Sequence, residues 1–336
     1  MRKLTKQILF LISLLFFWLL LFPGGFCAEA KDPDYPTKPI SFIIPMGAGG
    51  TTDISSRALA EVTARYIGQP TVPVNKPGGG GTLGAMMVIS AKPDGYTLGM
   101  IPASVAFVSP FADDSPYKDL SGFHVIMNYG HYIFPWIVRS DAPWKTWKEF
   151  IEWARKNPRA AKVGITGARS TITQGLAMWQ VEKLERVEFT HVPFKSGAEI
   201  LHAILGGHIN VYASTIDVST VPYLSEGKVR MLVYSDPQKM PGYENIPTLQ
   251  ELYGFSAPNL MAVFGPKGLP DYVLRKLADV FAKAVKDPDF ISVMKRMYTP
   301  VVYMNRSQVN RYIEERFPKY GEIIKGIKAE EAKQKQ

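Results

Sequence analysis

"FHVIMNYGHYIFPWIVRS", Phe123 to Ser140, is an almost unbroken aromatic and β-branched run. Strands in globular proteins usually span about 3–10 residues, so this stretch is too long for one ordinary strand and suits a strand that leaves one sheet and enters another. The chain on both sides repeats one grammar. Upstream, "ISFIIP" from Ile40 reads as a buried strand, and residues 54–67 place Ile54, Ala58, Val62 and Tyr66 on one face of a helix. "PTVPVN" at 70–75 is a second strand, 82–91 a small helix and "YTLGMIP" at 96–102 a third strand. This β-α-β-α-β order predicts a parallel sheet with helices on its faces. Downstream, "WKTWKEFIEWARKNP" is an amphipathic helix stopped by Asn157-Pro158, followed by a strand at 161–167, a helix at 171–184, a strand at 187–194, a helix at 197–206 and strands at 209–215 and 229–235. "NLMAVFGP", Asn259 to Pro266, is a second candidate crossing. Helices are expected near 271–286 and 307–325, and the polar tail "IKAEEAKQKQ" is expected to fray.

The N-terminus carries a different signal. After Arg2, Lys3 and Lys6 comes the apolar run Ile8–Phe22, interrupted only by Ser13, and then Ala28-x-Ala30. The run is short for a spanning helix, which needs about 20 apolar residues, and the whole reads as a secretory signal peptide over residues 1–30 with a periplasmic destination. An uncleaved anchor is the alternative. Cys27 is the single cysteine, and Phe26 before it is larger than the small residue a lipoprotein signal normally carries there. Cleavage after Ala30 leaves a chain with no thiol, whose fold rests on an ordinary core. It also takes the formal charge from +9 to +7. No long basic block is present, so nucleic acid is not an expected partner, and a mildly positive surface favours anionic solutes. The remaining length suits two α/β lobes.

Four strand-to-helix loops carry the candidate chemistry. In "FIIPMGAGGTTDISSRALAEV", Gly47, Gly49 and Gly50 allow a sharp turn with exposed amides, and Thr51, Thr52 and Asp53 sit where a helix begins, so the loop is either an anion site or a routine capped turn. "NKPGGGGTLGA" holds Gly79-x-Gly81-x-x-Gly84. A dinucleotide site needs an acidic residue at the end of the next strand; that strand ends Met100-Ile101-Pro102, with Asp94 before it. No phosphate-loop lysine follows either cluster. "ITGARSTIT", 165–173, offers Arg169, Ser170, Thr171 and Thr173 as carboxylate ligands or as a cap beside a solvated arginine. "PFKSGAE", 193–199, adds Lys195, Ser196 and Gly197. Asp217 bonds a ligand amine or caps the next turn. Tyr129, Tyr132 and Trp136 wall a cleft or pack a core.

Enzymatic signatures are missing from the sequence: there is no Gly-x-Ser-x-Gly elbow, no His-Glu-x-x-His, no recognised metal spacing among the five histidines and no paired carboxylates. The chain reads as a binder without cofactor or metal.

Several stretches together resemble one family. "YPTKPISFIIPMGAGGTTDISSRALAE", "GQPTVPVNKPGGGGTLGA" and "AKPDGYTLGM", then "HVPFKSGAE", "ILGGHINV", "LSEGKVRML", "IPTLQEL" and "FGPKGLP", look like the extracytoplasmic receptors of tripartite tricarboxylate transporters, also called Bug receptors, in the same order over nearly the whole chain after residue 30. The resemblance implies a periplasmic-binding-protein fold of class α/β: two lobes, 31–133 with 258–336 and 134–257, joined by two crossing strands around a ligand cleft. It implies a monomeric receptor, not an enzyme, that holds a small organic carboxylate and delivers it to membrane permease subunits. The site residues it implies are Gly49, Gly50, Thr51, Asp53, Gly81, Thr82, Ala103 and Ser104 in one lobe and Ser170, Thr171, Lys195, Ser196 and Gly197 in the other, to which Arg169 is added as a partner for one carboxylate. Departures from the family pattern are Gly47-Ala48-Gly49-Gly50 in the first loop where Pro-Gly-Gly is frequent, Arg169 at a usual glycine and Thr173 where a histidine is frequent. A ligand-presenting partner of a membrane sensor kinase and an exported hydrolase or isomerase are the alternative readings.

Overall fold

The computed structural model describes residues 34–336 apart from Asp113, Ala168, Arg169, Thr171, Asp217, Lys335 and Gln336. The signal peptide expected at 1–30 therefore lies outside the described residues. The described residues from Tyr35 onward form one compact unit.

This unit is built on two sheets. The first contains β1 (Ile40–Ile44), β2 (Thr71–Asn75), β3 (Thr97–Pro102), β4 (Phe123–Tyr132), β10 (Asn259–Pro266) and β11 (Val301–Asn305), in the order β11-β4-β10-β3-β1-β2. The second contains β5 (Pro135–Arg139), β6 (Lys162–Thr166), β7 (Thr190–Phe194), β8 (Val211–Ala213) and β9 (Val229–Tyr234), in the order β7-β6-β8-β5-β9. Helix α1 (Thr51–Ile67) connects β1 to β2, and α2 (Thr82–Ile89) connects β2 to β3. As the alternation predicts, β1 pairs in parallel with both β2 and β3. In the second sheet α4 (Thr173–Glu185) joins β6 to β7 and α5 (Gly197–Leu205) joins β7 to β8, and β6 runs parallel to both; α3 (Trp147–Lys156) precedes β6. The strands that follow a crossing run the other way: β10 is antiparallel to β3 and β4, and β5 to β8 and β9.

The long apolar run is therefore two strands, in different sheets, with Ile133 and Phe134 between them. The second crossing lies upstream of the predicted stretch: Ser235 to Pro258, which includes the short α7 (Leu249–Tyr253), leads from β9 back to β10, itself buried throughout. Between β8 and β9 lies the short α6 (Val221–Ser225).

Each sheet is covered on both faces. In β1, Ile40 and Phe42 face one cluster with Leu59, Leu277 and Phe281, whereas Ile43 faces another with Ala85, Phe107 and Phe264, the period of two expected of a strand. Trp136, Val163 and Phe189 lie on one side of the second sheet, and Ile137, Tyr212 and Met231 on the other. Helix α8 (Asp271–Ala284) matches the expectation, but α9 (Pro288–Arg296) and β11 were not read from the sequence. The final helix α10 (Arg306–Gln334) continues through the tail expected to fray. Its buried Ile324 and Ile327 pack in the first sheet's cluster, and Lys328 Nζ donates to the Phe111 carbonyl at 2.7 Å, which holds the last turns down.

Candidate functional site: the cleft between the two sheets

A cavity of about 910 Å3 lies between the sheets and is bordered by the segments that follow their parallel strands. From the first sheet come Met46, Thr51 and Thr52 after β1, Gly79, Gly80 and Thr82 after β2, and Ser104 after β3. From the second come Thr166 at the end of β6 and Gly167 after it, Lys195 and Gly197 after β7, and Ser214 and Thr215 after β8. Carboxyl ends of parallel strands are where open α/β sheets bind ligands, because helix N-termini and loop amides converge there.

The first glycine loop is braced by Asp53. Its carboxylate accepts from the Gly49 amide at 2.9 Å, from Arg57 Nε at 2.9 Å and from Asn75 Nδ2 at 2.8 Å. Burial alone would raise its pKa, but the Gly49, Asn75 and Arg57 bonds outweigh it and hold the carboxyl below its ordinary value. Asp53 thus shapes the loop and does not border the cavity; neither do Gly49 and Gly50. Gly50 is the N-cap of α1 and supplies no side chain, so no side-chain oxygen caps that helix. Thr52 Oγ1 lies 2.6 Å from Tyr132 OH at the cavity wall. Burial, together with Tyr129 nearby, pushes the Tyr132 phenol well above its ordinary value, so it stays protonated.

In the second loop Thr82 borders the cavity and donates to the Gly79 carbonyl at 2.8 Å. Gly81 sits behind, with φ +102°, where an added Cβ would lie 2.7 Å from Val105. Ala103 is buried under the helical turn that starts at Ser104. The Ser104 amide donates to Asn259 Oδ1 at 2.8 Å, and Asn259, unread as a site residue, borders the cavity from the start of β10.

On the other side, Lys195 and Gly197 border the cavity, while Ser196 caps α5 by accepting from the Glu199 amide at 3.3 Å. Ser170 is half-buried and does not border it; Arg169, Thr171 and Asp217 lie outside the described residues. Thr166 and Ser214 pair their hydroxyls at 2.7 Å. Helix α4 opens on Ile172 without a side-chain cap. Its first residues, Thr173 and Gln174, are wholly buried and border the cavity, yet Thr173 Oγ1 and both polar atoms of Gln174 have no partner among the described residues. Of the aromatic residues expected near the crossings, only Tyr132 reaches the cleft; Tyr129 packs on Phe290, and Trp136 lies in the second sheet's core.

The two passages between the sheets run together. The Ser235 amide donates to the Phe134 carbonyl at 2.9 Å, the Ala257 amide to the Ser235 carbonyl at 3.1 Å, and Trp136 Nε1 to Ser235 Oγ at 2.9 Å.

Two α/β lobes, paired crossings and a hydroxyl-lined cleft make up the periplasmic-binding-protein fold of a solute receptor. Residues 55–329 match the model of the tripartite tricarboxylate transporter family receptors, TctC, and the chain belongs to that family. It is 33% identical over 301 residues to the UPF0065 protein of the gbd 5′ region of Cupriavidus necator, covering 89% of this chain and 90% of that one. A TctC solute-binding protein from Polaromonas superposes with a TM-score of 0.75 at 28% identity, covering 87% of this chain and all of that one. Two proteins of Rhodopseudomonas palustris share the fold at lower identity: MatC with bound malate (TM-score 0.71, 23% identical, 86% of this chain and 100% of that one) and another with adipate (TM-score 0.74, 22% identical, 87% and 98%). The family is one of transporter receptors.

Proposed function

We propose that this receptor captures a small organic carboxylate in the cleft and delivers it to the membrane subunits of a tripartite tricarboxylate-type permease. The observation that carries the reading is the pair of helix N-termini without side-chain caps, at Thr51 of α1 and Thr173 of α4, bordering one cavity from opposite lobes. The first amides of a helix and its positive dipole end favour an anion. Two of them across a cleft suit a carboxylate at each end of a short solute, and the hydroxyls of Thr52, Ser104 and Ser214 supply neutral donors between them. Malate and adipate in the two R. palustris proteins support the same class. Contacts drawn from both lobes, 31–133 with 258–336 and 134–257, make hinge closure over the solute the expected response to binding. The receptor acts as an exported monomer, released by a signal peptide over residues 1–30.

The test is a thermal-shift panel of mono- and dicarboxylates, amino acids, nucleotides and neutral sugars on protein recovered from the exported fraction, with its N-terminus read by mass spectrometry. Ligand at about 100 times Kd adds roughly 2.7 kcal/mol. Stabilisation by one or a few carboxylates is expected. Stabilisation by sugars or nucleotides alone would sink the reading.

A further inference from the structure

Gln174 is the side chain in the cleft with the most unmet bonding capacity. It is wholly buried, borders the cavity at the first turn of α4, and neither Oε1 nor Nε2 meets a partner among the described residues. Buried side-chain polar atoms are normally bonded, and leaving one unsatisfied costs stability. A carboxylate can answer only half of this side chain: its oxygens accept from Nε2, but an ionised acid has no hydrogen to give to Oε1. Reversing the amide exchanges the two atoms without changing the inventory of donors and one acceptor. Thr173 Oγ1, adjacent and equally unpartnered, can serve as donor or acceptor.

We propose that Gln174 selects a carboxylate that bears a hydroxyl group, so that this cleft takes hydroxycarboxylates in preference to the unsubstituted acids. The inference rests on the carboxylate reading above. The ligand hydroxyl donates to Gln174 Oε1 while Nε2 donates to a carboxylate oxygen of the same molecule. An ammonium group would meet that oxygen as well, but it calls for a carboxylate beside it. Among the described residues the only acidic side chain bordering the cavity is Asp114, which is exposed. A hydroxyl needs no such partner. Sites built to bond a ligand hydroxyl reject the analogue that lacks it, because the protein group is then buried unpaired.

The experiment measures binding by titration calorimetry for matched pairs: lactate with propionate, malate with succinate, 2-hydroxyglutarate with glutarate, and mandelate with phenylacetate. The expected result is that the hydroxylated member of the pair that binds is about tenfold tighter or more. Gln174→Met, close in shape and without the amide, then weakens both members, since both lose the bond from Nε2 to the carboxylate, but weakens the hydroxylated member more, bringing the pair to within about threefold. Equal affinities in the unaltered protein, or a ratio that survives Gln174→Met, would overturn the hydroxyl selection while leaving the carboxylate receptor intact. Silence across all eight acids together with a response to a non-carboxylate would overturn both. Should Gln174→Met fail to fold, Gln174→Leu takes its place, with the same ratio read and the same result overturning the assignment.

Discussion

The backbone amide of Ser235 donates to the carbonyl of Phe134 at 2.9 Å, so the outward and return passages of the chain between the sheets are tied at one point. The Ser235 hydroxyl also accepts from Trp136 Nε1 at 2.9 Å in a fully buried setting. Ser235→Ala leaves that indole donor unsatisfied. The expected cost is about 1–3 kcal/mol, read as a lower urea midpoint, and an unchanged midpoint would show that the bond contributes nothing.

Thr173 separates stability from affinity. Its buried hydroxyl has no partner among the described residues, so Thr173→Val leaves the ligand-free protein as stable as before or slightly more so. Carboxylate affinity is expected to fall roughly 10-fold or more, since hydrogen bonds to charged groups are worth about 1.5–3 kcal/mol. Calorimetry paired with thermal melting of the free protein checks both directions.

Acidification acts on the first loop through Asp53. Its folded-state pKa lies below the ordinary 3.8. The stability it contributes is therefore fully present above that value and is lost as pH falls through the lower, folded pKa. Ligand affinity is expected to weaken in the same window, because the carboxylate holds the Gly49 turn that starts α1. Asp53→Asn should lower stability at pH 7 and flatten its dependence below about pH 4. An identical acid limb in the variant would assign the acid loss to other groups.

Gly81→Ala tests the second glycine loop as a packing device. The residue has φ +102° and an added Cβ would stand 2.7 Å from Val105 Cγ2 and 3.1 Å from Met46 Cε, both on residues that border the cavity. Side-chain residues held in such a conformation cost about 1–3 kcal/mol. A lower melting temperature with weaker carboxylate binding is expected; full retention of both would mean the loop adjusts freely.

The parallel halves of both sheets were legible because a buried strand and a one-faced helix have distinct periods, and Ile40–Ile44 followed by Thr51–Ile67 displays both. The tail was not. Its polarity argues for fraying, and its helix is held by Ile324, Ile327 and Lys328, whose partners lie far away in sequence. The same division holds in the cleft. Thr51, Thr82, Ser104, Lys195 and Gly197 border it from loops whose glycines and hydroxyls stand out locally. Asn259 does not stand out, because it belongs to an apolar strand and meets Ser104 only through the return crossing. Gln174 looks like any polar residue at a helix start until the lack of a partner is seen.

The path of α10 has an optical consequence. Trp136, Trp144, Trp147 and Trp153 belong to the cluster on the second sheet, whereas Trp179 on α4 packs with the first sheet's cluster and donates its indole N–H to Glu330 at 3.1 Å. The helix that begins at the cleft with Thr173 thus carries, two turns on, a fluorophore seated against a helix anchored in the other lobe. Rotation of one lobe against the other changes that indole's surroundings while the other four move with their own core. The protein therefore carries an intrinsic emission gauge of its opening and closing, readable without any attached dye.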